Sequence, residues 1–102
     1  MRLKKHEIKT HRNKLLNKQK GVCPLCKTEI LEHEATLDHC HVTGNCRRVL
    51  HRSCNQVEGR ILSWIKRSRV QAGDERMFLR NLVRYWGVDF TNEPLHPTHL
   101  TE

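Results

Sequence analysis

Residues 36–55, TLDHCHVTGNCRRVLHRSCN, hold three His, three Cys and one Asp within twenty positions. Upstream, Cys23-Pro24-Leu25-Cys26 forms a Cys-x-x-Cys knuckle, and His51-x-x-Cys54 repeats that spacing after 24 intervening residues. Thiolate and imidazole are the donors that tetrahedral zinc prefers, and four of them close a structural site. Cys23, Cys26, His51 and Cys54 are therefore the expected zinc ligands. The interval is slightly longer than the usual zinc-ribbon spacing of about 15 to 20 residues, a difference that an inserted hairpin absorbs. Pro24 in a polar segment argues against cysteines buried merely as small hydrophobes. Quartets drawing on Cys40 or Cys46 stay open at this point, although neither belongs to a knuckle.

A zinc ion with four protein ligands has no position for a reacting water, so any catalysis falls to other groups. Asp38, His39 and His41 lie between the knuckles, and Asn55 directly follows the last ligand. On a strand Asp38 and His39 point to opposite faces. A shared site therefore demands that the strand end or bend there, with the Asp38 carboxylate and the Asn55 amide oxygen meeting across the hairpin. Two oxygen donors plus waters suit Mg2+, which keeps much of its hydration and commonly draws on substrate phosphate for the rest. A neutral imidazole at His39 could then take a proton from the attacking water. Each residue also has a plain reading: Asp38 as a turn former, His41 as a surface polar group, Asn55 at a helix start. Residue types alone leave both readings standing.

The elements that must position these groups are short. Residues 2–20 carry eight Lys/Arg and one Glu, with Leu3, Ile8, Leu15 and Leu16 as a thin apolar stripe, and predict a basic N-terminal helix stopped by Gly21. Residues 35–42 alternate as a strand, Thr43-Gly44-Asn45 supplies a turn, and residues 47–51 form a second strand. Ser53 is placed to cap a helix from about Cys54 to Lys66, whose Val57, Ile61, Leu62 and Ile65 share a face. Gly73 and Asp74 break it, and Asp74 can cap a last helix that ends before Gly87. The tail, residues 89–102, reads as irregular.

Composition sets the bounds. At 102 residues the chain has room for one domain, and only 36% of it is apolar and 5% aromatic, so a small core needs help from a metal or a partner subunit. Nineteen Lys+Arg against eleven Asp+Glu leave a net charge of +8, which favours a polyanion such as DNA. No apolar run is long enough to span a membrane, and MRLKKHEIKTHRNK lacks the apolar stretch of a signal peptide, so a cytoplasmic protein without a membrane partner is expected. Five cysteines in a reducing compartment read as metal ligands rather than disulfides.

The segments CPLC, LDHCHVTG and RRVLHRSCNQVEG, at residues 21–59, resemble the recombination endonuclease VII family of phages, a branch of the HNH or His-Me finger nucleases. The tail segment DFTNEPLHP is more weakly similar. The resemblance implies a small α+β fold: a zinc-stapled ββα-metal core at residues 21–60, a basic helix at 1–20, and C-terminal helices and tail at 61–102. It also implies that Asp38 and Asn55 hold a catalytic Mg2+ or similar ion, that His39 is the general base, that His41 and Glu58 assist, and that Cys23, Cys26, His51 and Cys54 hold zinc. His51 stands where the family usually has Cys, Cys40 where an acidic residue is common, and Arg48 where Gly is usual. Arg47, Arg48 and Arg52 are expected to contact DNA phosphates. The expected protein is a metal-dependent DNA endonuclease that nicks duplex DNA with little sequence preference, acting in the cytoplasm of an infected cell if phage-encoded. A homodimeric, structure-selective junction resolvase and a non-catalytic zinc module that only binds nucleic acid are the rivals.

Overall fold

The computed structural model describes residues 1–71 and 73–98. Its elements are helix α1 (Ile8–Lys18), an antiparallel hairpin of β1 (Ala35–His39) and β2 (Cys46–His51), and helices α2 (Arg52–Arg67) and α3 (Glu75–Trp86). The fold is thus small α+β, as expected. Chain contacts divide it into two compact units, Met1–Trp64 and Ile65–Glu102, with the division falling inside α2.

In the first unit, α1 starts later than the run of basic residues. Residues 2–7 offer only Leu3 as an apolar side chain, and the helix begins where Ile8 starts a usable stripe, after a 3-10 turn at Lys5–Glu7. Its end follows the expected chemistry: Lys20 and Gly21 take positive φ values of 55° and 72°, and the Gly21 N–H returns to the Leu16 carbonyl at 2.9 Å. The chain then makes a narrow loop, closed by a bridge between Val22 and Glu29 and by the Cys23 N–H to Thr28 carbonyl bond at 2.9 Å.

The hairpin is irregular where its chemistry lies. Ala35 pairs with His51, Thr36 with Leu50, and Leu37 with Val49, but His39 pairs with Cys46. Between these pairs Asp38 alone faces Arg47 and Arg48, so β2 carries a bulge of one extra residue. β1 ends at His39 rather than at residue 42, and a turn follows in which the Gly44 N–H bonds the Cys40 carbonyl at 2.8 Å. α2 starts directly at Arg52, so Ser53 lies inside the helix instead of capping it.

Cys23, Ile30, Ala35, Val49 and Leu50 form the buried core, with Leu15, Leu16 and Cys54 packed against it. Gln19, just past α1, acts as a third strand: its side-chain oxygen accepts from the Val49 N–H at 2.7 Å, and its amide donates to the Val49 carbonyl at 2.9 Å. Both backbone groups of a fully buried residue are thereby satisfied.

In the second unit, Asp74 caps α3 as expected, accepting from the Arg76 N–H at 2.7 Å, and Gly87 follows its last residue. Residues 89–98 are irregular, and the rest of the tail reading lies outside the described residues. No helix among the described residues is long and apolar enough to cross a membrane.

Candidate metal centre and catalytic cleft

The narrow loop after α1 delivers Cys23 and Cys26, the end of β2 delivers His51, and the first turn of α2 delivers Cys54. Their ligand atoms all lie within 4.8 Å of one another. Zinc–sulfur bonds near 2.3 Å and a zinc–nitrogen bond near 2.0 Å put tetrahedral ligand atoms roughly 3.5 to 3.8 Å apart, so the cluster needs little contraction around an ion. The donor set fits zinc. Among the described residues no other group of three or more His, Cys, Asp or Glu is so placed, and neither Cys40 nor Cys46 joins this one.

His51 is oriented for ligation. Its Nδ1 faces the sulfurs, 3.2 Å from Cys26 and 4.0 Å from Cys54. Its Nε2 lies 2.8 Å from the Glu29 carbonyl and 3.2 Å from Glu34 Oε2. The same Glu34 oxygen accepts from the Leu31 N–H at 3.0 Å. With Nε2–H given to these acceptors, Nδ1 keeps its lone pair for a metal.

The electrostatics also favour a cation. Burial pushes the Cys23 thiol up, but backbone donors from Cys26, His51 and Leu25, with the His51 ring, bring it down to about 6. The Thr28 hydroxyl and N–H lower Cys26. Burial and the neighbouring Cys26 and Cys23 sulfurs push Cys54 up to about 11. His51 rises to about 9, chiefly through the Cys23 sulfur and the Glu29 carbonyl. Three thiolates this close cannot all ionise unaided, and a divalent ion relieves that conflict.

On the other side of the hairpin, Asp38 is the buried charged residue among those described, at 6% exposure. The bulge turns Arg47 onto it. Arg47 Nε donates to Asp38 Oδ2, and Arg47 Nη2 donates to Glu58 Oε1 on α2 at 3.1 Å. The bond to Asp38 raises the Arg47 guanidinium above its ordinary value. What the fold brings to Asp38 is therefore Arg47 and, through it, Glu58. Asn55 stands three residues before Glu58 on α2, a spacing that makes them neighbours on the helix surface. His39 is exposed at the end of β1, and its ring lies 5.2 Å from that of exposed His41.

A family model described as recombination endonuclease VII matches residues 1–87. The chain belongs to the recombination endonuclease VII family.

The match covers the metal cluster, the bulged hairpin and both helices after it, and family membership supports nuclease action on DNA. Of the three arginines expected on DNA in this endonuclease VII relative, Arg47 is engaged by two carboxylates. Arg48 is exposed and donates to the Arg47 carbonyl at 2.9 Å, while Arg52 donates to the His33 carbonyl at 3.1 Å.

Sequence reasoning missed Glu34 and Gln19. Glu34 carries no spacing signal, because its approach to His51 depends on the Ala35 to His51 register. Gln19 sits in a basic stretch that reads as solvated, and its bond to Val49 spans 30 residues.

Proposed function

We propose that the chain hydrolyses DNA phosphodiester bonds, with Asp38 and Asn55 holding a Mg2+ or similar ion and His39 as general base. The carrying observation is the buried Asp38 at the bulge, bound through Arg47 to Glu58. A buried carboxylate needs a paired charge or a metal, and Arg47 occupies one of its two oxygens, leaving the other free to bind an ion. The other oxygen and the Asn55 amide make a donor set that suits Mg2+, which takes one or two protein oxygens and retains water. Bound there, such an ion supplies positive charge to the scissile phosphate and its leaving oxygen.

The residues of the chain do the rest. An imidazole nitrogen of His39 accepts the proton of the attacking water. The exposure of His39 leaves it open to an incoming phosphate. Arg47 fixes the Asp38 carboxylate, and Glu58 completes the clamp from α2. His41, ring to ring with His39, assists its orientation. Cys23, Cys26, His51 and Cys54 would hold a zinc ion that ties the narrow loop to the β2–α2 junction, and so would help set the relation between Asp38 and Asn55.

Supercoiled plasmid tests this reading. With Mg2+ the wild-type protein should nick it, and His39→Ala should bind the plasmid but cut at least about 100-fold more slowly, the usual scale of a general base. Equal cutting by both proteins removes His39 from the mechanism.

A second reading, a homodimer that cuts both strands of a branch, has one observation in its favour. Val57, Ile61 and Trp64 on α2 are 51%, 38% and 71% exposed, an apolar stripe without cover in its own unit. Sedimentation, with branched and linear DNA compared side by side, separates the two readings.

A further inference from the structure

The first unit has a second basic feature, on the opposite end of the hairpin from His39. Lys9 and Arg12 on α1, Glu32 and His33 in the 3-10 turn before β1, Ala35 at the start of β1 and Arg52 at the start of α2 line a cleft of about 590 Å3. Three permanent cations face it, against the single carboxylate of Glu32.

The two guanidinium groups are held in place by neutral acceptors. Arg12 donates from Nε and Nη2 to Asn13 Oδ1 at 3.3 and 3.2 Å, and Arg52 Nη2 donates to the His33 carbonyl. These bonds fix direction without cancelling charge. The acid, Glu32, lies 3.8 Å from Arg12 Nη2 and its side chain is 69% exposed, so it can leave to solvent when an anion enters. Ala35 contributes only a methyl group, which leaves room for a ligand between the cations. Directed guanidinium forks with a free lysine beside them suit the oxygens of a phosphate.

We infer that Lys9, Arg12 and Arg52 form a seat for a DNA backbone phosphate flanking the one that is cut. This rests on the proposed nuclease function for the identity of the cut phosphate. Arg52 is three residues before Asn55 on α2, so seat and cleft adjoin. From Ala35 to His39 β1 rises roughly 13 Å, at about 3.3 Å per residue. DNA advances 3.4 Å per nucleotide, so the seated phosphate lies within about four nucleotides of the cut. The seat would hold the strand in register while the reaction proceeds, independent of base sequence.

The test is binding of a short DNA duplex, without added divalent ion, over a range of salt. Lys9 is exposed, so Lys9→Glu should fold normally. Lys18→Glu makes the same charge change at an exposed position half a turn round α1 and serves as control. Lys9→Glu should weaken binding about tenfold and lower the slope of log affinity against log salt by about one, while Lys18→Glu keeps the wild-type slope. Equal loss by the two variants overturns the seat. A protein that shows the Lys9 effect yet fails to cut whichever divalent ion is added keeps the seat and loses the nuclease reading. One that cuts, but whose two variants bind alike, keeps the nuclease and loses the seat.

Discussion

His51 offers one ring nitrogen to the metal cluster because the other is committed to the Glu29 carbonyl and the Glu34 carboxylate. Glu34→Gln keeps a side chain of the same shape but removes the charge that fixes the ring. It should lower zinc affinity about 10- to 100-fold in chelator competition while leaving the hairpin folded. Unchanged affinity would assign the orientation to Glu29 alone. A second residue-scale result concerns Arg47. Removing it strands a buried carboxylate, so Arg47→Ala should destabilise the protein by about 1–3 kcal/mol, the lower end because Arg47 is itself partly exposed. Adding Asp38→Ala to that variant should restore part of the loss, since the stranded charge goes with it. A double-mutant cycle by denaturant unfolding reads this directly, and strict additivity would deny the coupling. At this scale the sequence was informative wherever neighbours in the chain are neighbours in space. The knuckles show this in Cys23 and Cys26, three residues apart, and in His51 and Cys54. It was silent on Glu34, whose role appears only once the strands are in register.

Among the elements, the pairing is irregular at the place where the sequence asked for a strand to end or bend: the bulge in β2 lies opposite Asp38, and β1 ends at His39. Regular pleating would set Asp38 and His39 on opposite faces, and the extra residue at Arg47 and Arg48 bends the ladder there. That β1 should end or bend near Asp38 and His39 was legible; the bulge on the opposite strand was not, because bulges depend on pairing rather than on local composition. Helix boundaries failed for similar reasons. The basic residues before Ile8 were read as helix although they have little apolar surface to bury. Ser53 was read as a cap although β2 passes into α2 without an intervening residue. The hairpin also depends on a side chain outside it. Gln19→Ala removes both bonds to Val49 and leaves a buried N–H and carbonyl without partners, at a cost of about 1–3 kcal/mol. The lowered denaturation midpoint should be accompanied by faster amide exchange at Val49; an unchanged exchange rate there would show that water replaces the amide.

For the molecule as a whole, the metal cluster and the hydrophobic core are the same object, since Cys23 is fully buried in both and Cys54 packs against the core. A core of five buried residues is too small to offset the entropy of ordering the unit, whereas a structural zinc contributes on the order of 10 kcal/mol. Stripping the ion with a chelator should therefore abolish the cooperative unfolding of the first unit, seen as loss of strand and α1 signals in circular dichroism and of protected amides. The expectation concerns the first unit alone; α3 lies in the second and carries its own Asp74 cap. Acidification should have the same effect as the chelator, because protons compete with the metal for three thiols and an imidazole. Because one sulfur would serve both the ion and the core, the first unit should not accumulate as well-folded empty protein awaiting its metal. Supply at the time of synthesis would then set how many competent molecules exist, and leave untouched how fast each of them turns over.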